Sequence, residues 1–306
     1  VKETEPAAHQ IVKNMDNPWS TYIGNHADSD EVITGKDLLG LAALLDYPVP
    51  ADSDATALPW PDDTVPPFAH WLNANPQVAQ GQLGDDGHPR KGGFLPPIAF
   101  PRRMWAGSRV KFLQSVAVGQ PLRHRKTIVS IASKTGRSGP MVFVTLRHDF
   151  YADDNLAICE EQDIVYRESI TTPLPAPTIK PAAEIIGAFT YDWSATVTPD
   201  PVLLFRYSAI TGNAHRIHYD RSYAQAQEGY PGLVVQGPLT ATLLLDLFQR
   251  NNPHRQITGF SFVGRGPLFD GNPVYLMGRQ TAAGAELWAL APDGVVAMTM
   301  QLSTGS

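Results

Sequence analysis

Apolar and polar residues alternate with a period of two along much of the chain. In RVKFLQSVAV from Arg109, RKTIVSIAS from Arg125, MVFVTLRHDFY from Met141 and LAICEEQDIVYRE from Leu156, β-branched and aromatic residues recur between Gly and Pro punctuation. Every second side chain of a pleated strand faces the same side, so this pattern predicts strands. GFSFVGRGP, NPVYLMGRQTA, AELWALA and GVVAMTMQL repeat it near the carboxyl end, with APDG from Ala291 as a hairpin turn. One run breaks the period: GPLTATLLLDLF from Gly237 is apolar almost all round. A helix with no polar face must be enclosed. PPFAHWL from Pro66, also led by proline, predicts a second helix of this kind.

The two sets of elements resemble each other at a spacing of 152 residues. Gly107 matches Gly259, GQPL at Gly119 matches GNPV at Gly271, and Val144 matches Val296. The gap from helix to strands is longer in the first half, where NPQVAQGQLGDDGHPRKGGFLPP is an insertion. Between the halves, TTPLPAPTIKP (Thr171 to Pro181) has no apolar periodicity, and its prolines keep it extended. It reads as a linker or as a surface loop. The expected organisation is a first domain over 1–170, a linker over 171–186 and a second domain over 187–306. Each domain is a curved antiparallel sheet around a buried helix, which defines a hot-dog domain; two of them make an α+β double hot dog.

Composition narrows the class. Of 306 residues 43% are hydrophobic and 18% charged, which suits a soluble globular core. The 27 prolines and 25 glycines disfavour a helical bundle. A net charge of −6 offers no general basic field, so no nucleic-acid partner is expected. The single cysteine, Cys159 in the apolar run LAIC, excludes an intrachain disulfide framework and reads as a small buried hydrophobe. LGLAALL from Leu39 falls well short of a membrane span, and the amino-terminal VKETEPAAHQ has no apolar signal core. No membrane partner and a cytoplasmic location are expected.

The polar residues cluster in one segment. FRYSAITGNAHRIHYD, Phe205 to Asp220, holds Asn213, His215 and His218, and Asp220 is an N-cap candidate for the helical turn behind it. Two histidines without further ligands nearby are too few for a metal site, and none is expected. The residues alone leave His218 open, as a functional group or as a histidine bonded in a turn. Gly237 stands at the start of the enclosed helix, before Pro238, so its amide lies at the positive end of a buried helix dipole. Such an amide suits a carbonyl oxygen that gains charge.

YSAITGNAHRIHYD together with EGYPGLVVQGPL resembles the hydratase region of MaoC-like enzymes. It is most similar to the two-domain group of mesaconyl-CoA and itaconyl-CoA hydratases and type 2 hydroxyacyl-thioester dehydratases. GHPRKGGFLPPIAFPRRMWAG and KTGRSGPMVFVTLRHDF resemble that group's amino-terminal dehydratase-like domain. The wider class carries an Asp and a His five residues apart. Here Asn213 takes the Asp place, as in the narrower group, and His218 takes the His place. Gln236-Gly237 stands where members of the group often have His-Gly. The first half has no matching loop and is expected to be catalytically silent.

The resemblance implies reversible addition of water to an enoyl thioester carried by coenzyme A. His218 would act as acid and base, Asn213 would hold the water, and the Gly237 amide would polarise the thioester carbonyl. Tyr230, Pro231, Gly232, Val235 and Gln236 are expected to border the acyl pocket, with Arg216 near the thioester. Arg102, Arg103 or Arg265 are candidate contacts for the coenzyme A phosphates. No cofactor is expected beyond the coenzyme A of the substrate, and a homodimer or higher homo-oligomer is a candidate assembly. A thioesterase and a non-catalytic acyl-thioester binding module on the same fold are the alternatives.

Overall fold

The computed structural model describes residues 17–49, 58–60, 63–72, 75, 78–136 and 139–305. The segment VKETEPAAHQ and parts of the 1–170 stretch lie outside those residues. Ten strands form one antiparallel sheet in the order β1-β3-β4-β5-β2-β7-β10-β9-β8-β6. In the first half these are β1 (His26–Val32), β2 (Arg102–Phe112), β3 (Pro121–Gly136), β4 (Gly139–Ala152) and β5 (Asn155–Arg167). The second half supplies β6 (Trp193–Val197), β7 (Ile257–Gly264), β8 (Val274–Thr281), β9 (Gly284–Leu290) and β10 (Val296–Thr304). Both halves use the same strand order, and they meet at β2 and β7 in the middle of the sheet.

The register at that junction explains the 152-residue spacing. Gly107 pairs with Val263, Arg109 with Ser261 and Lys111 with Gly259, so the repeat maps this ladder onto itself about its central pair. A Cβ on Gly107 would lie 2.4 Å from the Phe262 carbonyl oxygen, and one on Gly259 2.8 Å from that of Val110. The same close backbone approach therefore demands glycine at both repeat-related positions. Gly119 and Gly271 both turn into the next strand with positive φ, 80° and 70°. The third match fails: Val144 lies in β4 and Val296 opens β10, because the β3–β4 hairpin is much longer than β8–β9.

Helices are divided unequally between the halves. α1 (Gly35–Leu44) follows β1 and starts in a capping box formed by Thr34 and Asp37. α2 (Ala182–Gly187) falls mostly inside the predicted linker and packs Ile185 against Tyr275, Met277 and Leu290. α3 (Pro201–Ile210) begins at the Asp200 N-cap and packs against α1, and α4 (Arg221–Ala226) begins at Asp220. α5 (Gly237–Asn251) is buried continuously from Pro238 to Phe248, as an all-apolar helix requires. PPFAHWL does not form its counterpart: it holds a single 3-10 turn, Ala69–Trp71. Phe68, His70 and Trp71 are nevertheless each at most 2% exposed, so bulky rings are enclosed at the point in the element order, before β2, where the second half has its helix before β7.

Two strands had no signal in the alternation, β1 and β6, and they are the two sheet edges. Most of their residues are exposed, so no apolar face marks them. Cys159 is half-buried rather than fully enclosed, and burial pushes its thiol up to about 11. Among the described residues no helix is long and apolar enough to cross a membrane.

Candidate active site

The site lies in a cavity of about 1260 Å³ whose wall comes from both halves of the sheet. The loop between α3 and α4, which carries Asn213 and His218, forms one edge of it. There the Asn213 side-chain oxygen accepts the His215 N–H at 3.1 Å, and a 3-10 turn, Arg216–His218, follows. The Val234 N–H donates to the Ile217 carbonyl at 3.0 Å, which laces this loop to the segment entering α5.

His218 is held on that lacing. Its Nδ1 lies 2.7 Å from the Val234 carbonyl oxygen, which can only accept, so Nδ1 carries the proton. In the neutral ring Nε2 is then the basic nitrogen. Burial lowers the His218 pKa to about 4, against the opposing pull of the Val234 carbonyl, so the ring is neutral near pH 7. His218 and Asn213 both border the cavity. So do Gly237 and Pro238, in the first turn of α5, where amide groups have no partner within the helix. A base with a fixed tautomer, a polar side chain and a helix N-terminus thus converge on one space.

The remaining predicted residues divide. Tyr230 and Val235 line the cavity. Arg216, Pro231, Gly232 and Gln236 are not part of its wall. Arg216 turns outward, bonds Asp220 at 2.7 Å and lies over the Tyr223 ring. The Pro231 carbonyl accepts from Gln225, and a Cβ on Gly232 would come within 2.8 Å of Asp270, so both have structural duties. Gln236 is 1% exposed and donates to the Leu204 carbonyl and to Ser208, which ties the start of α5 to α3. Among the described residues its Oε1 has no partner.

The first half adds groups that local sequence patterns did not reveal. The loop Gly84–His88 packs directly on the loop that carries Asn213 and His218: the Arg216 N–H donates to the Asp86 carbonyl at 2.9 Å. Gly87 has φ +87°, and a Cβ there would sit 1.9 Å from the Ala214 carbonyl oxygen. This contact brings the His88 ring to 4.1 Å from His215, whose ring is 5.4 Å from His218. Asp86 accepts from both the amide and Nδ1 of His88, at 3.0 Å each. Burial pushes the Asp86 carboxyl up, but those bonds and the Arg103 charge hold it below its usual range. Burial also lowers His88, more than the Asp86 hydrogen bond raises it.

Arg102 and Arg103 also reach this wall from β2. Arg102 bonds Glu228 at 2.8 Å and the Tyr230 hydroxyl, with its guanidinium 5.0 Å from the Tyr230 ring centre. Burial drives His215 well below the usual imidazole range, and the neighbouring histidines and both arginines add to the effect. Donor atoms of Asp86, His88 and His215 lie within 4.8 Å of one another, a spacing that could hold a metal ion. The two guanidinium charges that disfavour a proton on His215 oppose a metal cation there as well.

The strand order defines a double hot-dog fold. A Mycobacterium tuberculosis protein described as a double hot-dog fold superposes with a TM-score of 0.52 at 16% identity, over 92% of this chain and 96% of that one. HtdX of the same organism gives a TM-score of 0.65 at 15% identity, over 92% of this chain and 100% of that chain. These likenesses concern the fold. The chain belongs to the type 2 hydroxyacyl-thioester dehydratase family, whose model matches residues 68–270. A mesaconyl-C(4)-CoA hydratase of Chloroflexus aurantiacus is 46% identical over 287 residues, 94% of this chain and 98% of the relative.

Proposed function

We propose that this chain is a hydro-lyase that adds water reversibly to the α,β double bond of an enoyl-CoA, with substrates of the mesaconyl-CoA or itaconyl-CoA kind. The observation that carries the reading is His218, neutral and fixed with Nε2 basic, in one cavity with the start of α5. In the hydration direction His218 Nε2 takes a proton from water as the water oxygen bonds to the β-carbon. The double-bond electrons move toward the thioester carbonyl, and the developing enolate oxygen is stabilised by the Gly237 N–H. The imidazolium then returns its proton to the α-carbon, so one hydrogen and one hydroxyl have been added and the base is restored. Asn213 cannot exchange a proton at neutral pH, and its work is to orient the water.

Coenzyme A is part of the substrate in this scheme, and no step calls for a resident cofactor. The family membership and the 46% identity to a curated CoA-thioester hydratase support the reading. A panel of enoyl-CoA thioesters, followed by absorbance and mass spectrometry, tests it. The expected result is loss of the enoyl absorbance with gain of one water and no free thiol. Release of thiol would instead mark a thioesterase, and binding without either change would mark a non-catalytic module.

A further inference from the structure

Arg103 is 8% exposed and borders the catalytic cavity, yet its charge is poorly matched. A guanidinium carries five N–H donors in a fixed fork. Its fork reaches the Tyr166 hydroxyl, but among the described residues no carboxylate or carbonyl oxygen accepts from it: the nearest acid, Asp86, is 3.9 Å away, beyond hydrogen-bond length. Both Asp86 oxygens are already engaged by His88. Its neighbour Arg102 shows the contrast, because the Glu228 carboxylate pairs with its charge at 2.8 Å and the Tyr230 hydroxyl accepts from a second nitrogen. A cation withdrawn from bulk water with donors left over, facing empty space, is built for an anion, and its planar fork suits a two-oxygen group.

Location decides which anion. Arg103 stands 3.9 Å from Asp86, Asp86 bonds His88, and ring contacts lead from His88 through His215 to His218. The phosphates of coenzyme A sit a whole pantetheine arm away from the reacting carbons. An acyl group brings negative charge to this end only if it carries a carboxylate of its own, at or next to the β-carbon. We propose that Arg103, backed by Asp86 and His88 from the first half, is the receptor for a second carboxylate on the acyl group and selects dicarboxylic acyl thioesters. The placement of the β-carbon rests on the hydratase reading above.

Matched pairs of thioesters test this on the whole chain. Succinyl-CoA and butyryl-CoA differ by carboxylate against methyl and have no double bond to hydrate, so calorimetry reads binding alone. The parent is expected to prefer succinyl-CoA by about ten- to hundredfold, the worth of a charge-assisted hydrogen bond. Arg103→Met should bring the ratio close to one, chiefly through weaker succinyl-CoA binding. Arg103→Lys should keep part of it, because the charge remains while the fork is lost. Hydration of mesaconyl-C(4)-CoA against 3-methylcrotonyl-CoA should follow the same order.

An equal loss on both members of a pair, abolished when pantetheine thioesters replace CoA thioesters, would make Arg103 a phosphate contact and overturn the proposal. No preference in the parent would overturn it as well, whether or not Arg103→Met folds. A parent that binds succinyl-CoA selectively but hydrates no enoyl-CoA leaves the receptor standing and removes the hydratase reading.

Discussion

The two halves share one strand order and differ at their centres. In the second half, 15 residues of α5 run through the fold, and their first turn opens on the cavity. In the first half the corresponding point in the element order, ahead of β2, holds a three-residue turn with Phe68, His70 and Trp71 buried. Behind it, Glu160 is fully buried and bonded to His70, Trp71 and Ser108. Those partners hold its carboxyl near 2 although burial alone would raise it. Among the described residues the first half has no long helix at this point, and residues 84–88 lie against the Asn213–His218 loop and bring Asp86 and His88 to it. The half that lacks a long central helix is the half that lends side chains to the other's cavity.

The largest expected effect separates the halves most sharply. His218→Ala should lower kcat by about 10²–10⁴ with the fold intact, the usual worth of a general acid–base group. Steady-state kinetics on an enoyl-CoA checks this, and a correctly folded variant within a few-fold of the parent would defeat the assignment. In the parent, kcat/KM should be flat from about pH 5 to 8 so far as His218 governs it, because its pKa is about 4. The rate should fall only as the pH drops through that value and the base is protonated.

Next comes the helix entrance. Gly237→Pro removes the N–H but suits a first helical turn, and Gln236 before it already has an extended ψ of 135°. A loss of about 10²–10³ in kcat is expected, with little change in melting temperature. Gly237→Ala keeps the donor, and its Cβ would meet only the Trp105 carbonyl at 3.7 Å, so it should be much milder. Equal losses in the two variants would mean that the space matters and the amide does not.

A third change tests the bridge between halves. At Gly87→Ala the new Cβ meets backbone at 1.9 Å in a left-handed conformation, so the 84–88 loop must withdraw from Ala214. Stability should drop by about 1–3 kcal/mol. With Asp86 and His88 displaced, kcat/KM should fall by about ten- to hundredfold. Thermal melting and kinetics check both parts; unchanged kinetics would show that the first half contributes only support. Gly187, with open space around it, is the control position.

What could be read from the chain follows from which signals are local. Strands with one buried face declared themselves by alternation, whereas the edge strands β1 and β6 had no buried face to declare. α5 was legible because a helix enclosed on all sides must be apolar on all sides. The Pro66 segment carried the same cues, but its two prolines and large rings pack as a single turn, an outcome set by volume rather than propensity. The loop from Asn213 to His218 was legible through family likeness, and the tautomer of His218 was not, since it depends on a carbonyl 16 residues away. Asp86 and His88 lie further still from the loop that they touch. Turn glycines around them, in GDDGHP, were the available signal, and they announce a tight loop without naming its partner.

The smallest expected effect concerns the amide that replaces a carboxylate. The Asn213 side-chain oxygen accepts the His215 N–H, so Asn213→Ala loses a loop hydrogen bond and the group that orients the water, while His218 survives as base. A loss of about tenfold in kcat is expected, well short of the His218 effect. Asn213→Asp keeps an acceptor for the His215 N–H and should stay within a few-fold of the parent at neutral pH. Its charge has a second consequence. A carboxylate sharing the cavity with His218 favours the imidazolium, so it should raise the His218 pKa from about 4 toward the ordinary imidazole range. The acid limb of kcat/KM should therefore move to higher pH in Asn213→Asp and stay in place in Asn213→Ala. If the limb of the Asp variant does not move, the two side chains do not share one reaction space, and the pairing of Asn213 with His218 fails.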